Sequence, residues 1–285
     1  MRLDDFDNSI NVEDQRGSGL SLGGPGGKIG CGSIVIAIIA ALVFGVDPAQ
    51  MLGTMQQTQE TAPQPRAGRS VAESCNVDAF SRESCNALAS LDKTWKPLFD
   101  KANIPFQAPK LVFYSQAGRS GCGAAQSAMG PFYCPTDQGI YIDTDFYTEL
   151  DKKMGAGGDF ARAYVIAHEF GHHVQNLVGT SDQVRDLQQR NPSRANQLSV
   201  RLELQADCYA GVWAARNKDR IDPGDLEEGL TAAHQIGDDT LMKAAGRRPV
   251  EAAFTHGSAE QRMTWLRKGL ETGNEDTCDT FADMQ

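Results

Sequence analysis

The sequence predicts an α+β protein: a small sheet in the N-terminal half of its folded part, a mainly helical C-terminal half, and a single membrane-crossing segment ahead of both. Three observations carry this reading. Strand-like apolar runs, Leu111-Val112-Phe113-Tyr114 and Gly139-Ile140-Tyr141-Ile142-Asp143, are confined to the middle of the chain. From about Asp159 onward, apolar residues recur at helical spacing between capping signals. An uncharged run of 18 residues, Ile29 to Val46, lies near the N-terminus between polar flanks.

Residues 1–28 are polar and end in Gly23-Gly24-Pro25-Gly26-Gly27-Lys28, so they are expected to be a disordered tail. The run from Ile29 to Val46 spans roughly 27 Å as a helix, enough for a hydrocarbon core. Its strongly apolar part, Ile34 to Val46, would also suit a secretory signal. The long preceding tail and the lack of an Ala-x-Ala site favour an uncleaved anchor over that signal, and polar low-complexity sequence on both sides disfavours a buried core helix. Arg16 and Lys28 precede the run, and the first basic residue after it is Arg66. The tail is therefore expected in the cytoplasm and the rest of the chain outside it. Residues 47–72, with Pro48, Pro63 and Pro65, read as a linker, which leaves 73–285 as the folded domain.

Within that domain, Ser84–Ala102 has helical spacing, with Pro97 expected to kink or shorten it. The two apolar runs give strands, separated by a Gly/Ser-rich loop. Asp159 is expected to cap a helix ending at Leu177 or Val178, with Gly179 just beyond it. Asn191-Pro192 opens a second long helix to about Asn217, and Asp222-Pro223 opens a third. Ser258 with Gln261 forms a capping-box pattern for a fourth.

With Lys+Arg 27 against Asp+Glu 37, the net charge is −10, which argues against a polyanion such as nucleic acid as partner. Cys31 lies in the apolar run. The other six cysteines fall in the expected domain, an even number that suits an oxidising compartment. Short separations suggest Cys75–Cys85 and Cys122–Cys134, leaving Cys208–Cys278. There is no Cys-x-x-Cys, so thiolate zinc or dithiol redox chemistry finds no support.

The chemistry lies in two helices. Ala167-His168-Glu169-Phe170-Gly171-His172-His173 contains H-E-x-x-H. Positions i and i+4 share a helix face, so His168 and His172 can ligate one zinc ion. Glu169, one step round, is placed to serve a water at that ion. A catalytic zinc needs a third protein ligand, and Glu203 in Glu203-Leu204-Gln205-Ala206-Asp207 supplies it. Asp207, one turn on, is placed to accept the far N–H of a ligating histidine. His173 and His234 are read as structural or surface histidines.

Taken together, these motifs resemble the gluzincin arrangement of zinc metallopeptidases, and more closely the bacterial neutral zinc metallopeptidase family. The resemblance is carried by Asn11-Val12-Glu13-Asp14-Gln15-Arg16-Gly17, the Gly-rich stretch before the apolar run, Ser120-Gly121-Cys122-Gly123, Gly130-Pro131-Phe132-Tyr133-Cys134-Pro135 and Tyr141-Ile142-Asp143. It continues through the zinc helix, Glu203 to Ala210, Ile236-Gly237-Asp238-Asp239 and Thr255-His256-Gly257-Ser258. It covers nearly the whole chain apart from 47–72. The metzincin pattern fails, since Gln175 and Val178 stand where it needs Gly and His.

The resemblance implies a zincin-like fold, Zn2+ as cofactor and a peptide or protein as substrate. It also implies a bacterial inner membrane protein with its catalytic domain in the periplasm or outside. His256, in the family-like Thr255-His256-Gly257-Ser258, is the candidate for stabilising the oxyanion, with Arg262 and Tyr209 behind it. Ile140-Tyr141-Ile142 could hold extended substrate by strand addition. Two other readings use the same ligands: a non-catalytic zinc-binding envelope protein, adaptor or chaperone-like, and a zinc hydrolase of another amide. An intact Glu169 disfavours the former.

Overall fold

The computed structural model describes residues 1–17 and 69–282. The run at 29–46, its Gly-rich approach and most of the linker lie outside the described residues. Among the described residues no helix is long and apolar enough to cross a membrane.

A four-stranded sheet forms from β1 (Asn11–Asp14), β2 (Lys110–Tyr114), β6 (Gly139–Asp143) and β5 (Phe132–Cys134), in the spatial order β1-β2-β6-β5. The β1–β2 and β2–β6 pairs are parallel, and β5 runs antiparallel to β6. Both central strands are buried on both faces, which is why they read as unbroken apolar runs. The intervening loop holds a hairpin, β3 (Ala117–Ser120) with β4 (Gly123–Gln126), whose small polar residues give no alternating signal. β6 lies inside the sheet, so Ile140-Tyr141-Ile142 is not an edge that could add a substrate strand. β5 and β1 are the edges.

The helices are α1 (Val71–Cys75), α2 (Ala79–Ala102), α3 (Asp145–Lys152), α4 (Asp159–Leu177), α5 (Thr180–Arg190), α6 (Ala195–Arg216), α7 (Asp225–Gln235), α8 (Asp238–Ala244) and α9 (Ala259–Thr272). Pro97 does not end α2, which continues one further turn to a left-handed Asn103. Gly158, at φ 125°, takes the cap position of α4, and Asp159 becomes its first residue. The capping box of Ser258 and Gln261 forms as expected. Helix α5 escapes the sequence reading because it is polar and buries only Val184.

Helix α4 runs through the centre and packs against α2, α6 and α7, while α6 packs along α9. That last contact is close. A Cβ on Gly269 would lie 2.0 Å from the carbonyl oxygen of Cys208, so only glycine lets the two backbones meet. Three disulfides, Cys75–Cys85, Cys122–Cys134 and Cys208–Cys278, match the expected pairing.

Residues 1–17 are not a disordered tail. β1 pairs with β2, Met1 and Ile10 are buried, and the terminal ammonium lies 2.6 Å from Asp159 and 2.9 Å from Asp225. Arg16 donates to Asp14, to Ser81 Oγ and to the Ser74 carbonyl, and its guanidinium covers the Phe113 ring. Composition misses this because the charges of the segment are satisfied by groups distant in sequence. The linker also ends early: Arg69 donates to Asp14, and Ser70 caps α1.

Candidate active site

Residues Tyr164 to Gly171 of α4 are buried without a break, so its polar side chains there need partners from neighbouring elements. His168 and His172, one turn apart, lie with ring centroids 4.9 Å from each other. Helix α6 approaches them where Gly171 meets Ala206. A Cβ at Gly171 would stand 2.9 Å from both the Cα and the carbonyl oxygen of Ala206. This close approach brings Glu203 opposite the two imidazoles.

His168 Nε2 lies 3.1 Å from one Glu203 oxygen, and His172 Nε2 lies 3.4 Å from the other. Ligands at about 2.0–2.1 Å from a tetrahedral zinc are separated by about 3.3–3.4 Å. Each histidine thus stands near ligand-to-ligand distance from a Glu203 oxygen, and the three residues offer donor atoms that all lie within 4.8 Å of one another, a group able to hold a metal ion. The local field agrees. Burial alone would lower the basicity of His168, but the charge and hydrogen bond of Asp207 outweigh it and hold the imidazole up to about 10. Burial would raise the Glu203 carboxyl, yet the charges of His172 and His256 keep it well below the ordinary carboxylate range. The cluster favours positive charge at its centre, as a cation site must.

Asp207 is fully buried, and four bonds converge on it. Its Oδ1 accepts from Tyr164 Oη at 2.6 Å, His168 Nδ1 at 2.8 Å and Arg262 Nη2 at 3.0 Å, and its Oδ2 accepts from Arg262 Nε at 2.9 Å. Burial works against the carboxylate, but Arg262 and His168 hold its pKa down to about 2. With Nδ1–H held by Asp207, Nε2 is the His168 atom that faces Glu203, and it would ligate a metal once its own proton is lost. His172 Nδ1 instead meets a neutral amide, Gln175 Oε1, at 2.8 Å.

Glu169 is buried at 8% exposure, and among the described residues no hydrogen bond engages its carboxylate. Burial raises its pKa, while the neighbouring histidines pull the other way. A free, buried carboxylate beside a cation site can accept and return a proton.

His256 lies in the turn ahead of α9. It is oriented by Asp238, which accepts from the backbone N–H groups of Thr255, His256 and Gly257 and lies 3.3 Å from His256 Nδ1. Arg262 is spent on Asp207 behind His168. Tyr209 projects from the face of α6 opposite Asp207 and packs edge-on against Trp95. Neither is an oxyanion donor. His173 is buried with its pKa lowered to about 4 by burial; it donates to the Gln107 carbonyl and accepts from Tyr133. His234 is exposed on α7.

Sequence reasoning missed Tyr164, Gln175, Gln205 and Asp238 as members of the site, along with the true partner of Arg262. Spacing held a signal for one of them, since Gln175 stands three residues after His172 on the same helix.

The family model described as "Putative neutral zinc metallopeptidase" matches residues 1–281. An Escherichia coli K12 protein, uncharacterized protein YpfJ, is 44% identical over 290 residues, which cover 99% of each chain. A Mycobacterium tuberculosis H37Rv protein, uncharacterized protein Rv2575, is 39% identical over 259 residues, 85% of each chain. No solved structure matches.

Proposed function

We propose that this chain, which belongs to the neutral zinc metallopeptidase family, is a zinc-dependent peptidase that uses Glu169 as its general base. The observation that carries the proposal is the convergence of donor atoms of His168, His172 and Glu203 within 4.8 Å of one another beside an unengaged, buried Glu169. His168, His172 and Glu203 would hold the ion. Bound there, zinc would supply Lewis acidity toward a water molecule and a peptide carbonyl.

The chain's own residues do the rest. Glu169 takes a proton from the attacking water and returns it to the departing amine. His256, held by Asp238, donates to the carbonyl oxygen as it gains charge. Asp207 and Gln175 hold the two ligating imidazoles in the tautomer that turns Nε2 inward. A purely structural zinc site would gain nothing from leaving a buried carboxylate without a partner, which favours catalysis over the adaptor reading.

The three disulfides support an oxidising, extracytoplasmic location. Attachment to the bacterial inner membrane through residues 29–46 remains part of the proposal, with one change of sidedness. β1 is hydrogen-bonded into the sheet of the domain, so residues 1–17 and 69–282 belong on the same face of the membrane. A single crossing with a cytoplasmic tail would pull that sheet apart.

The test is zinc content and peptide hydrolysis of the full chain, with Glu169→Gln alongside. Both proteins should hold one zinc, and the variant should lose about 100-fold or more in kcat. A variant that cleaves as fast as the parent would sink the role of Glu169. A parent that binds zinc yet cleaves nothing in a broad peptide library would favour the adaptor reading.

A further inference from the structure

The two ligating histidines are held by different chemistry. His168 leans on an anion, Asp207, whereas His172 leans on a neutral amide, Gln175 Oε1, from the next turn of its own helix. An amide can point either end at an imidazole, so something must fix its polarity. Two backbone carbonyls do so.

Gln175 is fully buried. Its Nε2 donates to the Leu202 carbonyl at 2.7 Å and to Gln205 Oε1 at 3.1 Å, which uses both of its hydrogens. Gln205, also buried, donates its own Nε2 to the Cys278 carbonyl at 3.1 Å. A backbone carbonyl can only accept. The Cys278 carbonyl therefore turns the NH2 of Gln205 toward itself and its Oε1 toward Gln175. The Leu202 carbonyl independently demands the NH2 of Gln175. Both constraints leave Gln175 Oε1 facing His172, where it can only accept. His172 Nδ1 must then carry the hydrogen, and its Nε2 lone pair is fixed on the Glu203 side.

The far end of this chain is anchored too. Cys278 is bonded to Cys208, the residue after Asp207. Two residues beyond it, Thr280 Oγ1 donates to the Arg201 carbonyl, and Arg201 donates back to the Thr280 carbonyl. The last turn of the described chain, Glu275–Cys278, thus presses its carbonyl onto the relay from the side away from α4.

We propose that Gln175 and Gln205 are positioning residues for His172, and that the C-terminal segment at Cys278 sets the polarity of their amides. The proposal rests on the zinc site described above. Neither glutamine touches the reacting atoms; they act through His172 alone.

The experiment is a competitive chelator titration of Zn2+ on the full chain, with the melting temperature of the metal-free protein measured in parallel. Gln175→Leu removes the acceptor and should weaken zinc binding by about 10–100-fold. Gln205→Leu leaves Gln175 its bond to Leu202 and should give a smaller loss in the same direction. Gln175→Glu restores an acceptor for His172 and should recover part of the affinity lost in Gln175→Leu, a recovery that simple packing would not produce. If Gln175→Leu fails to fold, Gln205→Leu and Gln175→Glu still decide the matter. Zinc affinities within twofold of the parent in both Gln175→Leu and Gln205→Leu, or in Gln205→Leu alone where Gln175→Leu does not fold, would overturn the relay. So would losses that follow the metal-free melting temperature with no rescue by Glu. A parent that takes up no zinc would overturn the metal site itself, and is distinguished from the other outcomes by that control.

Discussion

Replacing Asp207 by Asn tests whether Arg262 is the buried counter-ion of Asp207. The substitution keeps shape and removes one charge. Asp207 accepts four bonds, three on Oδ1 and one on Oδ2. The least costly placement of Asn puts its NH2 at the Oδ2 position, where it faces the Arg262 Nε–H, donor against donor. Arg262 is then a buried cation without a counter-charge, since its other contacts are the Ile236 carbonyl, Tyr164 Oη and the His168 ring, none of them an anion. Breaking a buried pair by removing one partner costs about 3–5 kcal/mol. For a domain of this size that is a drop of about 6–20 °C in melting temperature. Zinc binding should weaken by about 10–100-fold as His168 loses its anionic support. The decisive assay is a double-mutant cycle on the metal-free protein, with Arg262→Met and Asp207→Asn/Arg262→Met. Removing both charges leaves nothing unpaired, so the double variant should be more stable than the sum of the single losses implies, by about 1–3 kcal/mol. Strict additivity, or a loss under about 1 kcal/mol for Asp207→Asn, would refute the account of a buried counter-ion.

Three further outcomes are expected. Asp92 has one buried oxygen without a hydrogen-bond partner, and burial, helped by the charge of Asp7, raises its pKa from 3.8 to about 7. A carboxyl raised in the folded state contributes stability that is present below pH ~4 and is lost as pH rises to about 7. Asp92→Asn should therefore change little at pH 4 and stabilise by about 1–3 kcal/mol at pH 8, read from denaturant melts; equal effects at both pH values would contradict this. Gly171→Ala must push α4 from α6, because its new Cβ would sit 2.9 Å from Ala206, and should cost about 1–3 kcal/mol and weaken zinc binding; an unchanged zinc affinity would show that the helix approach does not set the site. Asn11→Cys with Lys110→Cys, paired in the β1–β2 register, should form a disulfide in intact cells, so that fragments cut within 47–68 stay joined until reduced; a residue 11 accessible only from the cytoplasm would restore the single-crossing topology.

Much of the site was legible in the chain because it rests on helical periodicity. His168 and His172 at i and i+4, and Glu203 and Asp207 at the same spacing, point to one face of each helix wherever those helices go. The α+β order, both central strands, the capping box at Ser258 and two of the disulfides were legible for a similar reason, each being local or of short separation; Cys208–Cys278, 70 residues apart, followed only as the remaining pair. The path of residues 1–17 was not. Their composition is that of a solvated tail, and β1 exists only because β2 offers it an edge and Asp14, Ser81 and Phe113 receive Arg16.

The sequence by itself therefore determined which side chains make up the candidate metal site, since ligand type and helical pitch are properties of the residues. Only the tertiary structure decided what holds those ligands still. Arg262 behind Asp207, the amide relay from Gln175 to the Cys278 carbonyl, and Asp238 behind His256 all join residues distant in the chain. The physical reason is that a buried polar group must find a partner with the opposite hydrogen-bonding sense, and which group comes within reach is settled by packing, here by the glycine contacts that let α4, α6 and α9 close on one another.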